Sequence, residues 1–570
     1  MRRLETTDCA TRDGVRLFTV IFLPDEEGQY PVILLRTPYG CEQATTQDPL
    51  FGGYPDLVDA GFAVAFQDVR GTGGSEGTLG LSGQHEHMDG ADAVAWLAAQ
   101  PWCNGQVGMF GLSYPGFVQT AAASMRPPCL KAISPFMCPS QHPFGMHSGR
   151  TLHMQHLYWA YQQIQEHPDK YIPCPEDRPA ALEKIRAYAR ELDAQLMTLP
   201  LDRCPAALVD GVPILADYVR GVQGVENPDF WQKMHMPVDF DRVHCAAFFA
   251  TGWFDGAKDW TVEGYEKARQ SADSLTRDNA CLLIGPWPHG GDLPGRIEDI
   301  DFGPEASGES QDVQGMLHRW FERHLMDKPV SAMEARVRYF MMGENRWRSA
   351  ADWPPPEAKP LRLYLTGSCG LASAPEAAPS AVAYEADPMA PNPSDFRDSA
   401  GRVLTADWAE RADDRGAVVF LSERLTAPVA AAGILRATLC AVTDAPDTDF
   451  ACRLVDVYPD GRQLSLAAGL VRGKFRRGAA TPEPVTPGEA AVYAWQVGSF
   501  ANVFLPGHRI GVHVTSYQYP MHNRNLNTGE PPAGSTRWAV AHQRLLCGGA
   551  DASFIELPLC PDDKEAKVWP

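Results

Sequence analysis

Residues 107–116 read VGMFGLSYPG. A short apolar run at 107–111 leads into a turn of small residues around Ser113, and 117–124 reads as the helix that follows. Strand, tight turn and helix with a serine at the apex is the setting of a nucleophile elbow, in which the hydroxyl projects above the sheet edge. Strand and helix nearly collide at such a turn, so small residues are needed beside the serine. The first turn of the helix also aims backbone N–H groups at a reacting carbonyl. The segment departs from plain G-x-S-x-G, because Pro115 stands at +2 and the second glycine, Gly116, at +3.

A serine hydroxyl is a poor nucleophile at neutral pH. It needs a base, and the base needs an acid to orient it. Asp255 lies in GWFDG at 252–256, directly after an apolar run at 246–251. His289 lies in GPWPHG at 285–290, directly after a run at 281–285. Both therefore stand at the carboxyl ends of predicted strands, the edge where open α/β sheets form ligand sites. Each alone reads as an ordinary loop residue. In the order Ser113, Asp255, His289 and on one edge, they read as a triad.

The surrounding pattern alternates. Strands are predicted at 32–36, 62–69, 107–111 and 130–134, and helices at 86–100 and 117–124. This implies an α/β domain with a mostly parallel sheet covered by helices on both faces. From about 139 to 237 no strong strand is legible, and helices are predicted at 150–167 and 179–199. The second rests on Leu182, Ile185, Ala189, Leu192 and Leu196 at helical spacing. A helix over 312–326 is expected to close the first domain. Trp353-Pro354-Pro355-Pro356 reads as a stiff linker. Beyond it, short runs at 361–365, 433–442, 450–457 and 509–516 alternate with turn residues, which predicts a β-sandwich or jelly roll. The expected division is a sheet domain over 1–138 and 238–350, a helical cap over 139–237, and a jelly roll over 351–570.

A chain of 570 residues is too long for one hydrophobic core. Its formal net charge of -21 repels phosphate backbones, so nucleic acid is not an expected partner. No stretch approaches 18 uninterrupted apolar residues, so no membrane helix is expected. The opening MRRLETTDCATRDGVRL lacks the apolar run of a secretory signal, which leaves the cytoplasm as the expected location. The 14 cysteines form no C-x-x-C pair and read as free thiols. His85-Glu86-His87-Met88-Asp89 invites a metal reading, but histidines two apart diverge on a helix and H-E-x-x-H spacing is missing. It reads as the polar start of a helix. The loop GTGGSEG at 71–77 lacks the Lys-Ser/Thr ending of a phosphate loop and reads as structural. No metal or cofactor is expected.

Several further segments carry a resemblance. They are RTPYG at 36–40, QDVRGTGGSEG at 67–77, WLAAQPWCNGQVGMFGLSYPG at 96–116, GWFDG, GPWPHG, DTDFACRLVDVYPDGR at 447–462, and PGHRIGVHVTS with RNLNTGE near 506–530. Over nearly its whole length the chain resembles the CocE/NonD hydrolases. That group includes bacterial cocaine esterases and is similar to the X-prolyl dipeptidyl aminopeptidases and α-amino-acid ester hydrolases. The resemblance implies an α/β-hydrolase domain, an inserted helical cap and a C-terminal jelly roll, the same three pieces read from the pattern.

It also implies a serine hydrolase that cleaves a carboxylic ester through an acyl-enzyme on Ser113. Amidase or acylase activity, or X-Pro-type dipeptidyl-peptidase activity, are alternatives on the same triad. An acyltransferase and a catalytically inactive binding protein are the readings from other classes. The resemblance further implies an oxyanion hole made by the Tyr39 hydroxyl and the Tyr114 backbone N–H. Tyr158, Trp159, Phe254 and Ala257 are candidates to line the substrate pocket, although Tyr158, Trp159 and Tyr161 read equally as cap core. The amino-acid ester hydrolases carry a carboxylate pair just after the triad acid; here Ala257 and Lys258 stand there, which disfavours an α-amino acyl substrate. Cocaine esterases carry an aromatic two residues after that acid, so Ala257 implies a wider pocket. The expected partner is a small ester or amide. A homo-oligomer is compatible with the resemblance, whose members include monomers, dimers and larger assemblies.

Overall fold

The computed structural model describes residues 1–41, 53–80, 83, 85–139, 151, 154–224, 226–227, 238–392, 408, 416–478 and 482–561. The chain opens with an antiparallel pair that is not among the predicted strands, β1 (Arg2–Ala10) and β2 (Arg16–Leu23). The predicted strands follow as β3 (Tyr30–Thr37) and β4 (Ala63–Asp68), then α1 (Glu86–Ala98), β5 (Cys103–Leu112), α2 (Tyr114–Ser124) and β6 (Leu130–Phe136). The helical insertion contributes α3 (Gln155–Glu166), α4 (Arg178–Ala189), α5 (Leu192–Gln195) and α6 (Pro213–Gly224). The sheet then resumes with β7 (Ala246–Phe254), α7 (Lys258–Gln270), β8 (Ala280–Pro288), α8 (Val313–Leu325), β9 (Val337–Met341) and β10 (Arg346–Ala350).

These strands form one ten-stranded sheet in the order β1-β2-β4-β3-β5-β6-β7-β8-β9-β10. Pairing is parallel from β4 through β9 and antiparallel at both edges. The central strands are covered on both faces, which is why they read as continuous apolar runs rather than alternating ones. Their carboxyl ends share one edge of the sheet, and β3, β5, β7 and β8 all stop there just before a residue singled out from the sequence.

Two expectations need correction. The helix α8 does not close the sheet, because β9 and β10 follow it. β10 (RWRSA) carries arginines on a half-exposed edge, where charge is tolerated and no apolar run forms. The helix predicted over 179–199 is broken. Glu191 leaves helical geometry (φ -129°, ψ 25°), Ala189 is exposed, and Leu192 and Leu196 are buried in the cap. No Gly or Pro causes the break. It turns Asp193 so that its carboxylate accepts the Tyr158 hydroxyl and its carbonyl accepts the Tyr519 hydroxyl. The start of the helix predicted at 150–167 lies outside the described residues.

The C-terminal part is two antiparallel sheets. In the larger, Val429–Thr443 pairs along its length with Ala490–Phe504. The smaller runs Val418–Leu421, Arg509–Thr515, Asp449–Val457, Gln463–Arg472. Phe450 of the smaller sheet meets Tyr493 of the larger at 4.4 Å between ring centroids. No described helix is long and apolar enough to cross a membrane.

This sandwich is joined to both other parts. Met342, just after β9, exchanges backbone bonds with Ala501 (3.2 Å) and Val503 (2.8 Å). The cap is held by Met154 N–H on the Met521 carbonyl (2.9 Å), Asp202 N–H on Ala533 (3.0 Å) and the Arg524 guanidinium on the Met197 carbonyl (2.8 Å). Beneath these contacts Arg472 is fully buried. It donates twice to Asp449, at 3.0 Å each, and to the Asn523 carbonyl at 3.0 Å, and Glu226 stands 3.7 Å away. Glu226 also meets Lys474 at 2.6 Å. Asn525 donates to both Asp447 and Asp449. The DTDFACR and RNLNTGE segments thus supply a buried polar cluster at the seam.

Arg472→Met, close in volume, would leave Asp449 buried without its cation. The expected loss is about 3–5 kcal/mol, read as a fall in the urea midpoint followed by tryptophan fluorescence. An unchanged midpoint would show that the pair carries no net load.

Candidate active site

β5 ends at Leu112 and α2 begins at Tyr114, so the whole turn is made at Ser113. Its backbone sits at φ 66°, ψ -124°, a conformation that L-residues rarely adopt. Three bonds hold it there. Ser113 N–H donates to the Phe136 carbonyl of β6 (2.9 Å), and its own carbonyl accepts Gly116 N–H (2.9 Å) and Phe117 N–H (3.1 Å). The two glycines are required by contact. A Cβ on Gly111 would fall 2.4 Å from Pro115 Cβ, and one on Gly116 would fall 2.6 Å from Cys138 Cβ and 2.9 Å from the Phe136 carbonyl oxygen. The glycine at +3 therefore lets α2 lie against the end of β6. Pro115 occupies the first turn of α2, where its missing N–H costs nothing. The Tyr114 N–H lies at the first position of α2, where no helical carbonyl stands four residues back to receive it.

Asp255 follows β7 and is buried. One carboxylate oxygen accepts the Thr251 hydroxyl at 2.7 Å. The other accepts Ala257 N–H at 2.9 Å and lies 2.8 Å from His289 Nδ1. His289 follows β8, and its side chain is 19% exposed, so the ring is reachable from outside while its acid is not. The glycines of GWFDG and GPWPHG serve this pairing of strand ends. A Cβ on Gly252 would fall 2.0 Å from the Trp287 carbonyl oxygen, and one on Gly285 2.3 Å from the Trp287 ring.

Tyr39 follows β3, the neighbour of β5. Its hydroxyl faces the Ser113 side chain and accepts the indole N–H of Trp159 at 3.4 Å, a long bond. Burial pushes the phenol above its ordinary value, and the neighbouring Trp159 and Ser113 side chains pull the other way. Cys41, two residues after Tyr39, is held by Asp68, which accepts its N–H (2.7 Å) and that of Gly74 (2.8 Å). The glycine loop at 71–77 wraps that carboxylate: a Cβ on Gly73 would fall 1.8 Å from it.

The remaining candidates divide. Trp159 reaches the serine's surroundings from α3, its ring parallel to Tyr114 (centroids 5.9 Å apart, planes 4° apart). Tyr158, one residue away, turns instead to Asp193 within the cap. Tyr161 is cap core, its hydroxyl on the Ala206 carbonyl at 2.6 Å. Phe254 is buried against Phe302 (5.6 Å). Ala257 gives its N–H to Asp255, and Lys258 points away, its ammonium 3.4 Å from the Leu466 carbonyl of the sandwich.

Sequence reasoning missed a pair behind Tyr114. The Tyr114 hydroxyl donates to Glu86 at 2.9 Å, and the other oxygen of Glu86 meets Arg36 at 2.6 Å, all buried. Glu86 and Asp89 belong to the HEHMD segment read as a polar helix start. Asp89 pairs with Arg70 at 2.7 Å, and His87 lies edge-on to Phe117. The signal available was the arginine closing the apolar run of β3, since a charge there must find a buried partner.

With this geometry in place, similarities to known proteins can be set beside it. The family described as X-Pro dipeptidyl-peptidase (S15 family) matches residues 13–291, and the X-Pro dipeptidyl-peptidase C-terminal non-catalytic domain matches 330–556. The cocaine esterase of Rhodococcus sp. (strain MB1 Bresler) is 32% identical over 574 residues, covering 96% of this chain and 97% of that protein. Among solved structures, an aminopeptidase from a marine sediment Thaumarchaeota archaeon superposes with a TM-score of 0.77 at 24% identity, covering 98% and 96% of the two chains. An α-amino acid ester hydrolase gives 0.75 at 24% identity with the same coverage. At these identities the structures speak for the fold alone. The parallel sheet, the elbow at Ser113 and the full-length similarity to a cocaine esterase lead to one conclusion: this chain belongs to the CocE/NonD family and is a serine hydrolase of the S15/CocE group.

Proposed function

We propose that the protein hydrolyses a carboxylic ester through an acyl-enzyme on Ser113. The observation that carries the reading is the bond from His289 Nδ1 to the buried Asp255 at the edge where the elbow presents Ser113. Asp255 holds the imidazole with Nδ1 protonated, so that Nε2 is the basic nitrogen. His289 takes the serine proton as Ser113 Oγ attacks the carbonyl carbon. The developing oxyanion is received by the Tyr39 hydroxyl and the Tyr114 N–H. The C–O bond breaks as His289 protonates the departing alcohol, and water, deprotonated by the same imidazole, releases the acid.

An ester is favoured over an α-amino acyl or X-Pro substrate by what stands beside the acid. Ala257 has no side-chain charge, and Lys258 is a cation directed to the sandwich. An ammonium-bearing substrate finds no carboxylate at those two positions. The name of the matched family keeps dipeptidyl-peptidase activity as the second reading, and a direct comparison separates the two. Turnover of a short-chain nitrophenyl ester with none of a glycyl-prolyl anilide is expected. Preferential cleavage of the anilide would replace the esterase reading.

Ser113→Ala is expected to lower kcat by about 10⁴-fold or more with the unfolding midpoint unchanged. Asp255→Asn, which favours the wrong imidazole tautomer, is expected to cost about 10⁴-fold in kcat. Full activity in either variant would contradict the scheme. Activity should vanish in acid, where a protonated His289 cannot accept the serine proton. Because burial raises the Tyr39 phenol above its ordinary value of about 10, this donor should persist across the alkaline range. A loss of kcat/KM between about pH 8 and 9.5 that disappears in Tyr39→Phe would show otherwise.

A further inference from the structure

Trp159 belongs to the cap, yet it meets both residues that supply the groups assigned above to the oxyanion, the Tyr39 hydroxyl directly and Tyr114 through its ring. Its N–H donates to the Tyr39 oxygen at 3.4 Å, and its ring lies parallel to the Tyr114 ring. Tyr114 is an unusually fixed surface for a stacking partner. Its hydroxyl is anchored on Glu86, Glu86 on the fully buried Arg36, and Arg36 on Gln67 (2.9 Å), which reaches Thr19 at 3.0 Å. An indole seated on that wall has its N–H direction set.

We propose that Trp159 is a positioning residue for the oxyanion hole, acting through Tyr39. The inference rests on the esterase reading above. A phenol oxygen that accepts a hydrogen bond becomes a stronger donor through its own O–H, because the bonds in a chain polarise one another. The effect grows as charge develops on the reacting carbonyl and electron density is drawn onto the Tyr39 oxygen. No proton changes owner; the indole N–H stabilises the partial charge left behind. The bond also ties the hole to the seating of the cap. The residue next to Trp159 is bonded to Asp193, and the start of α3 is held through Met154 to Met521 of the sandwich. A cap out of place would leave Tyr39 without its second partner. A pocket wall would behave differently, since it acts on substrate binding and leaves Tyr39 as it is.

Trp159→Phe keeps a ring for Tyr114 and removes the N–H. With a short-chain nitrophenyl ester, kcat is expected to fall about three- to tenfold while KM changes by less than about twofold. In a Tyr39→Phe background the same substitution should cost nothing further, since the group it acts through is gone. A raised KM at constant kcat, or an equal loss in both backgrounds, would overturn the proposal. If Trp159→Phe fails to fold, 3-benzothienylalanine at 159 replaces the N–H by sulfur at nearly the same shape, and the same expectations apply. Ser113→Ala run alongside separates two failures. Turnover surviving in Ser113→Ala removes the esterase reading and this inference with it. An additive cycle with Ser113→Ala inactive removes this inference alone.

Discussion

The strained backbone at Ser113 is the constraint on which the rest of the site depends. A non-glycine residue at φ 66°, ψ -124° costs about 1–3 kcal/mol, and it persists because its surroundings leave no alternative path. Its N–H is bonded to β6, its carbonyl starts α2, and the two flanking glycines have no room for a Cβ. The direction of the serine side chain is thus set by the course of the chain, before any substrate arrives. The strands beside β5 then bring their own ends to the same edge, Tyr39 from β3, Asp255 from β7 and His289 from β8.

The other two parts of the chain act on that edge from outside. The loop after Asp255 is clamped at consecutive residues. Ala257 N–H bonds the acid, Lys258 reaches the Leu466 carbonyl, and Asp259 accepts Ser499 N–H at 2.6 Å. The C-terminal sandwich therefore backs the segment that follows the acid, and through Arg472, Arg524 and Tyr519 it holds the cap as well. A buried ion pair is weak evidence for net stability. What the Arg472 cluster supplies is orientation, since its partners come from three separate segments that must be in register for every charge to be met.

Much of this was legible in the sequence because the relevant signals are local. The elbow needs small residues within a few positions of Ser113, and buried parallel strands appear as unbroken apolar runs. The order of Ser113, Asp255 and His289 follows from the strands that end before them. What was not legible depends on distant partners. β1 and β10 are held by pairing at the two sheet edges and carry polar residues with no apolar run, and in β9 (VRYFM) Arg338 interrupts a short buried run. The break between α4 and α5 contains no helix-breaking residue and leaves Asp193 bonded to Tyr158 and Tyr519, partners distant in sequence. Glu86 looked like the solvated start of a helix, and only the fold brings Arg36 and Tyr114 to it. Of three cap aromatics close together in sequence, Trp159 alone reaches Tyr39, a distinction set by the helix rotation that sequence spacing could not supply.

The most direct test of the central claim is to treat the folded protein with a fluorophosphonate and locate the adduct by peptide mass spectrometry. The account predicts a single stoichiometric adduct on Ser113, with ester turnover lost in proportion to labelling. Labelling of another residue, or none in a folded protein, would mean that the elbow does not carry an activated nucleophile.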